Sequence, residues 1–169
     1  MVQFRYKKAG RPNLKTISPW QMAWENGCYY LIAYQDEKEP VGIRHYRVDR
    51  MAGITVLDEP RRGKEQFAGF DLPAYLKKHF NMYGGDEYRV TLRCTADLEP
   101  AMRERFGSGP IFLPEGEEHF HFDVPICVSD QFYGWVCGFG GKVEITAPPA
   151  VRSGLQEMTS RIAQAHQPV

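Results

Sequence analysis

Three arginines, Arg44, Arg47 and Arg50, recur at every third position of one short segment. A guanidinium is always charged and presents a planar fork that fits phosphate bidentately, so this density predicts a compact anion-binding site. In a continuous strand, alternation puts Arg44 and Arg50 on the face of Tyr46, and Arg47 on the opposite face unless a bulge turns it. The alternative is a solvated strand face on which Asp49 pairs with an arginine.

Five aromatic residues of the same half of the chain are expected to supply ring faces near these arginines: Trp20, Tyr29, Tyr30, Tyr34 and Tyr46. Stacking of a base on an aromatic ring contributes about 1–3 kcal/mol, and rings interleaved with basic residues are typical of proteins that bind single-stranded nucleic acid. Aromatic residues of a small barrel are more often core, however. Alternation separates Tyr30 and Tyr34 from Tyr29, and one face must be core, so at most two of these tyrosines reach a ligand.

Ser18 and His45 are further candidates for the same ligand site. A serine hydroxyl can donate a hydrogen bond to phosphate, and a histidine adds a donor that depends on pH. Either residue beside a strand is more often an ordinary hydrogen-bonding group.

Other chemistry has weaker support. His119 and His121 alternate against Phe120 and share a face, but a closed zinc site needs four ligands and no cysteine pair or third histidine lies near, so we predict no metal site. No general base is placed beside Ser129, and the chain has no GxSxG elbow or Walker loop. We therefore predict no cofactor and no enzymatic activity. A metal-dependent enzyme using the two histidines remains a minor alternative.

Composition indicates a soluble globular protein with an uneven charge distribution. The net charge is zero, but residues 1–80 carry 14 Lys and Arg against 9 Asp and Glu, whereas residues 81–169 carry 7 against 12. Any anion-binding surface therefore belongs to the first half. No stretch approaches the roughly 20 apolar residues of a membrane span, and the start of the chain lacks a signal-peptide pattern, so we expect a cytoplasmic protein.

The four cysteines form no CxxC pair. Cys94, Cys127 and Cys137 lie in apolar runs and are predicted to be buried reduced thiols. Cys28, beside an Asn-Gly turn, is the one we expect to find exposed.

Short alternating runs in the first half predict about five strands, which indicate a small β-barrel or sandwich. The runs cover residues 2–6, 17–24, 28–34, 43–50 and 53–57. Asn26-Gly27 predicts a two-residue hairpin turn, and residues 36–40 a looser connection. We place the barrel at residues 1–60, and a linker with a short helix over residues 72–80 at 61–85.

The second half shows a different pattern, in which predicted strands alternate with helices, and we assign residues 86–169 to a second domain. Strands are predicted at 88–94, 111–113, 120–126 and 143–147, with helices at 98–106 and 130–139. This β-α-β-β-α-β order is that of ferredoxin-like domains. A final amphipathic helix is expected to bury Val151, Leu155, Met158 and Ile162. The predicted fold class is therefore α+β.

Several motifs together resemble the WYL family and its C-terminal extension, the WCX domain. Residues 27–34, GCYYLIAY, are similar to the segment that names the family, with Tyr29 where the family has Trp. Residues 44–51, RHYRVDRM, resemble the family's Arg-rich strand, and Ser18-Pro19-Trp20 its preceding strand. Residues 132–145 resemble the helix and final strand of the extension. The resemblance covers nearly the whole chain.

The resemblance implies an SH3- or Sm-like barrel with a basic ligand pocket, followed by a ferredoxin-like domain that supports sensing and dimerisation. Relatives bind nucleic acids or nucleotide-like ligands, single-stranded DNA among them, and pass the signal to a winged helix-turn-helix. The first predicted strand starts at Val2, so we expect this chain to lack that DNA-binding head. We therefore expect the effector-sensing module of a bacterial transcriptional regulator, acting as a homodimer. The alternative is an oligomerisation or protein-interaction module without a small ligand.

Overall fold

The computed structural model describes residues 1–7, 12–36 and 41–167 and divides into two compact units, Met1–Tyr75 and Leu76–Val169. Each unit has its own antiparallel sheet and its own buried cluster of apolar side chains. The predicted α+β class is confirmed.

Unit 1 is built on five strands, β1 (Val2–Tyr6), β2 (Asn13–Glu25), β3 (Cys28–Gln35), β4 (Gly42–Arg47) and β5 (Met51–Val56), in the order β4-β3-β2-β1-β5. Asn26 and Gly27 both have positive φ angles between β2 and β3, which confirms the predicted hairpin turn. The first part of β2 pairs with β1 and the second with β3. A bulge between Pro19 and Gln21 lies in the second part, and proline suits a bulge because it has no N–H to donate.

The sheet of unit 1 is strongly curled. The ring of Tyr46 on β4 lies 5.5 Å from Phe4 and 5.3 Å from Tyr6, although two strands separate β4 from β1 in the sheet. Those rings fill the interior together with Ile17 and Ala33. Within the described residues β4 and β5 are the two edges of the sheet, so the predicted small barrel is not closed. The curl of the open sheet is enough to bring these side chains together in the interior.

A 3-10 turn, Val48–Arg50, separates β4 from β5. The prediction of one strand over residues 43–50 is therefore wrong at its end, and β5 begins at Met51, two residues before the predicted run. The N–H of Met51 bonds to the carbonyl of Val48, which closes the turn. Of the predicted loose connection at 36–40, only Asp36 lies within the described residues.

The segment after β5 is packed on unit 1. We call residues 59–75 the connector; it contains a 3-10 turn, Lys64–Phe67, and the start of α1 (Leu72–Lys78). A carboxylate oxygen of Asp71 accepts from the N–H of Ala74 and caps α1, and the helix ends at Lys78, two residues before its predicted end at residue 80. Gly63, with φ of 79°, lies so close to the ring of Tyr34 that a Cβ there would collide with it. This segment was predicted to be a linker.

Unit 2 contains β6 (Glu87–Thr95), α2 (Glu99–Phe106), β7 (Leu113–Glu115), β8 (His119–Cys127), α3 (Asp130–Cys137), β9 (Val143–Ala147) and α4 (Pro149–Ala165). The strand order β7-β8-β6-β9, with every neighbouring pair antiparallel, is the one that the predicted β-α-β-β-α-β arrangement requires. Strand β7 lies two residues beyond its predicted position. The serine at 129 caps α3 by accepting from the N–H of Phe132.

One face of the second sheet and the facing sides of its helices form the larger core. Phe132 is fully buried there, and Trp135 and Phe139 pack against the same cluster. The aromatic residues of α3 thus fill the unit's own interior. Cys94 and Cys127 are buried as predicted, whereas Cys137, at the last position of α3, is exposed, because it lies on the side of the helix that faces away from the core.

Candidate functional site

Tyr30, Arg47 and Arg50 come together at one end of unit 1, and we call them the basic aromatic patch. Tyr30 on β3 is directly opposite Arg47 on β4, so their side chains share a face of the sheet. Both arginines act on the Tyr30 phenol: partial burial raises its pKa, and the charges of Arg47 and Arg50 oppose that rise. The 3-10 turn ends strand alternation, which brings Arg50 within electrostatic reach of Tyr30.

Arg47 is held by Asp49. Its Nε and Nη2 donate to the two carboxylate oxygens at 3.1 and 2.8 Å. This hydrogen-bonded pairing lowers the pKa of Asp49 and raises that of Arg47. The two side chains are 30% and 58% exposed, and ion pairs so accessible to water contribute little to stability. An incoming phosphate can therefore compete with Asp49 for the Arg47 fork.

The guanidinium of Arg50 makes no hydrogen bond to the described part of the chain, and the residue is exposed. Its backbone carbonyl accepts from the N–H of Lys7, which anchors the turn to the C-terminal end of β1. The patch thus combines one arginine engaged by a carboxylate, one unengaged arginine and a half-buried tyrosine.

Arg44 points to the other face of the sheet. It lies opposite Ala33, which belongs to the interior cluster, and its charge acts on the Tyr46 phenol and not on Tyr30. Burial raises the pKa of Tyr46 to about 12, and its hydroxyl donates to Oε1 of Gln35 at 2.7 Å. The three arginines therefore do not converge on one point, which alternation had already indicated for Arg44 and Arg47.

Ser18 and Trp20 bind the connector. The hydroxyl of Ser18, which is buried, accepts from the N–H of Arg62 at 2.8 Å, and Nε1 of Trp20 donates to the carbonyl of the same residue at 2.9 Å. The Trp20 ring stacks on Phe67 at 4.9 Å, and the guanidinium of Arg61 lies 4.3 Å from the ring centre. Both predicted ligand contacts thus have partners within unit 1.

His45 has a similar role at the other end of the connector. Its Nε2 lies 2.8 Å from the hydroxyl of Tyr75, and the two rings meet edge to face. Tyr75 continues an aromatic row through Phe70 to Phe67, with ring separations of 4.8 and 5.0 Å. The row joins β4 to β2 across the face of the sheet.

Tyr29 lies on the face opposite Tyr30 and pairs with Trp24, a residue that sequence analysis did not select. Their rings are 4.6 Å apart, and the side chains are 54% and 58% exposed. Met22, which faces Leu31 in the same hairpin, is also exposed. The Asn-Gly turn could have revealed this pair, because a two-residue hairpin places the residues two positions outside the turn opposite each other.

His119 and His121 lie on the solvent-facing side of the second sheet. Nδ1 of His121 is 3.8 Å from a carboxylate oxygen of Glu115, which also binds Arg93. Among the residues with described positions, no three His, Cys, Asp or Glu side chains are grouped so that they could hold a metal ion.

No helix within residues 1–7, 12–36 and 41–167 has the length and apolar character needed to cross a membrane.

A curled sheet carrying basic and aromatic residues, followed in the chain by a ferredoxin-like unit, fits a regulatory sensing module. The family model of the WYL domain matches residues 1–56, and that of the WCX domain matches residues 86–163. The chain therefore belongs to the WYL-domain family and carries a WCX domain after its WYL domain. No curated protein matches it.

Several solved structures are similar to the chain, among them the following two. The crystal structure of a CRISPR Cas-related protein is 16% identical, with a TM-score of 0.53, over 98% of this chain and 47% of the other. Proteasome accessory factor B/C (PafBC) of Arthrobacter aurescens is 20% identical, with a TM-score of 0.38, over 91% of this chain and 23% of the other. The chain thus spans less than half the length of either protein. At these identities the first likeness concerns the fold alone.

Proposed function

We propose that the chain is the effector-sensing part of a transcriptional regulator, and that its WYL domain binds an anionic, nucleic-acid-like ligand at the basic aromatic patch. Single-stranded DNA is the ligand we would test first. The observation that carries the proposal is the meeting of Arg47 and Arg50 with Tyr30 on an accessible part of the sheet. Two guanidinium groups can neutralise phosphate while the tyrosine ring offers a base a surface for stacking.

The charge distribution supports the same assignment. Residues 1–80 carry a net charge of +5 and residues 81–169 one of −5, so the long-range field favours the approach of an anion to the WYL domain. Ser18, Trp20 and His45 enter this proposal indirectly. They hold the connector, and a ligand that displaced any of their contacts would change how the connector leaves the sheet.

The test is the salt dependence of binding to a labelled single-stranded oligonucleotide. The logarithm of the affinity should fall linearly with the logarithm of salt concentration, with a slope of about −0.7 per neutralised phosphate. Tyr30→Leu should weaken binding by about 1–3 kcal/mol with little change in that slope, because stacking releases no counterions. Absence of oligonucleotide and nucleotide binding at low salt would reject the proposal.

That outcome would favour the second candidate, an interaction module without a small ligand. Its specific support is the exposed apolar surface of Met22, Trp24 and Tyr29 at the tip of the hairpin. We also propose a homodimer, as the family resemblance implies, although the aromatic residues of α3 pack in the unit's own core. Light scattering at micromolar concentration measures the assembly directly, and a monomer mass would contradict the dimer.

A further inference from the structure

A cavity of about 180 Å³ opens in unit 2, beside the chain that enters β6 and the first turns of α3 and α4. Its lining residues are Asp86, Tyr88, Val128, Tyr133, Ala150 and Val151. An apolar cavity of roughly 150 Å³ holds a molecule the size of benzene. The volume therefore suits one small head group.

The hydroxyl of Tyr133 is a polar group available to a ligand in this cavity. The side chain is only 8% exposed, yet its oxygen bonds to none of the described residues. A buried tyrosine hydroxyl normally has a hydrogen-bond partner. No sealed side-chain polar atom of the described chain lacks a partner, so this oxygen reaches the open space of the cavity. A Cβ at Gly154 would collide with the phenol, so glycine at this position of α4 leaves room for it.

The cavity is electronegative. Besides burial, the groups that raise the pKa of Tyr133 are Tyr88, Asp130 and Glu157, and no basic side chain opposes them. Asp86, an exposed residue that also lines the cavity, has no ion pair or side-chain hydrogen bond to the described residues. An anionic ligand would be repelled from this position.

The two helix starts near the cavity do not reverse that preference. The N–H of Phe132 at the start of α3 already donates to the hydroxyl of Ser129. The N–H groups of Val151 and Arg152 at the start of α4 donate to the carbonyl of Pro148. Few backbone donors are left for an anion at either helix start.

We propose that this cavity binds a guanidinium or primary ammonium head group, with Asp86 as its counter-ion, the ring of Tyr88 as a wall and the Tyr133 hydroxyl as a hydrogen-bond acceptor. A carboxylate beside aromatic rings is the combination that recognises organic cations, because the carboxylate supplies charge-assisted hydrogen bonds and the ring faces attract positive charge. This site lies in the WCX domain and is independent of anion binding at the basic aromatic patch.

The experiment is a two-dimensional NMR titration of the full chain with methylguanidinium and with propylammonium, using methylurea as the uncharged control. Backbone resonances of Val128, Ala150 and Val151 should shift saturably with either cation and not with methylurea. Blocked arginine in a short peptide, added in a parallel titration, shows whether the site also accepts the side chain of a protein. Saturable binding of a small cation or of the peptide arginine supports the proposal.

Variants connect the binding to the named groups. Asp86→Asn should weaken methylguanidinium binding on the order of ten-fold, since a hydrogen bond to a charged partner is lost, and Tyr133→Phe should weaken it by less. Gly154→Ala should abolish binding, because the added methyl forces the phenol into the cavity. Glu104→Gln, which removes an exposed carboxylate elsewhere in unit 2, should change nothing. Absence of saturable shifts, equal binding of methylurea, or an unchanged affinity in Asp86→Asn would each overturn the proposal.

Discussion

Replacing Arg47 by alanine tests whether the basic aromatic patch neutralises phosphate. If Arg47 makes one phosphate contact, its loss should reduce the salt slope for a single-stranded oligonucleotide by about 0.7. Between about 50 mM and about 200 mM salt, a slope difference of that size corresponds to about a 2.6-fold smaller loss of affinity in the variant than in the wild type. The affinity at low salt should fall in every sequence tested, since phosphate contacts carry no base information.

Asp49→Asn gives the opposite perturbation. The carboxylate that holds Arg47 at 2.8 Å is removed, so the fork is free for phosphate and binding should strengthen a few-fold without a smaller slope. The matched control is Arg89→Ala in unit 2, because Arg89, like Arg47, is an arginine paired with one aspartate, at 3.2 Å. It should leave affinity and slope unchanged.

The assay is fluorescence anisotropy at several salt concentrations, with the melting temperature of each variant measured first so that unfolding is not mistaken for lost binding. An Arg47→Ala variant that melts like the wild type and keeps both its affinity and its slope would refute the assignment of the patch.

Three further predictions concern stability and reactivity. Gly63→Ala should destabilise the chain by about 1–3 kcal/mol in chemical denaturation, more than Gly69→Ala, because both glycines have positive φ but only the first is pressed against a ring. Native protein at neutral pH should expose the Cys137 thiol to a maleimide, whereas Cys94, buried and with its pKa raised to about 12 by that burial, should react only after unfolding. Hydrogen bonds from the Thr91 hydroxyl and then from Arg89 lower the pKa of Asp123. The carboxylate therefore stabilises the folded protein above about pH 4, and this stabilisation is lost as the pH falls through the lowered pKa. Asp123→Asn should therefore flatten the acid side of the melting-temperature profile, and an equally steep profile would contradict this.

Local patterns determined much of the fold. Alternation located the five strands of the first unit and the order of elements in the second, because a half-buried strand must place its apolar residues at every second position. Asn26-Gly27 fixed the register of the β2–β3 hairpin, since few residues tolerate the positive φ angles of that turn. Alternation also placed Tyr29 and Tyr30 on opposite faces, as the structure confirms.

Only the tertiary structure decided the contacts between residues that are far apart in sequence. The 3-10 turn after β4 moved Arg50 to the side of Tyr30, an interruption that the continuous pattern of residues 43–50 did not reveal. The connector lies on the sheet and engages Ser18 and Trp20 from more than 40 positions away, so two residues chosen as ligand contacts have structural partners instead. Sequence periodicity reports which face a side chain is on, but not which distant segment covers that face. For that reason the sequence alone predicted the strands and the types of residue at the site, and the packing of the chain on itself decided which of those residues are left to meet a ligand.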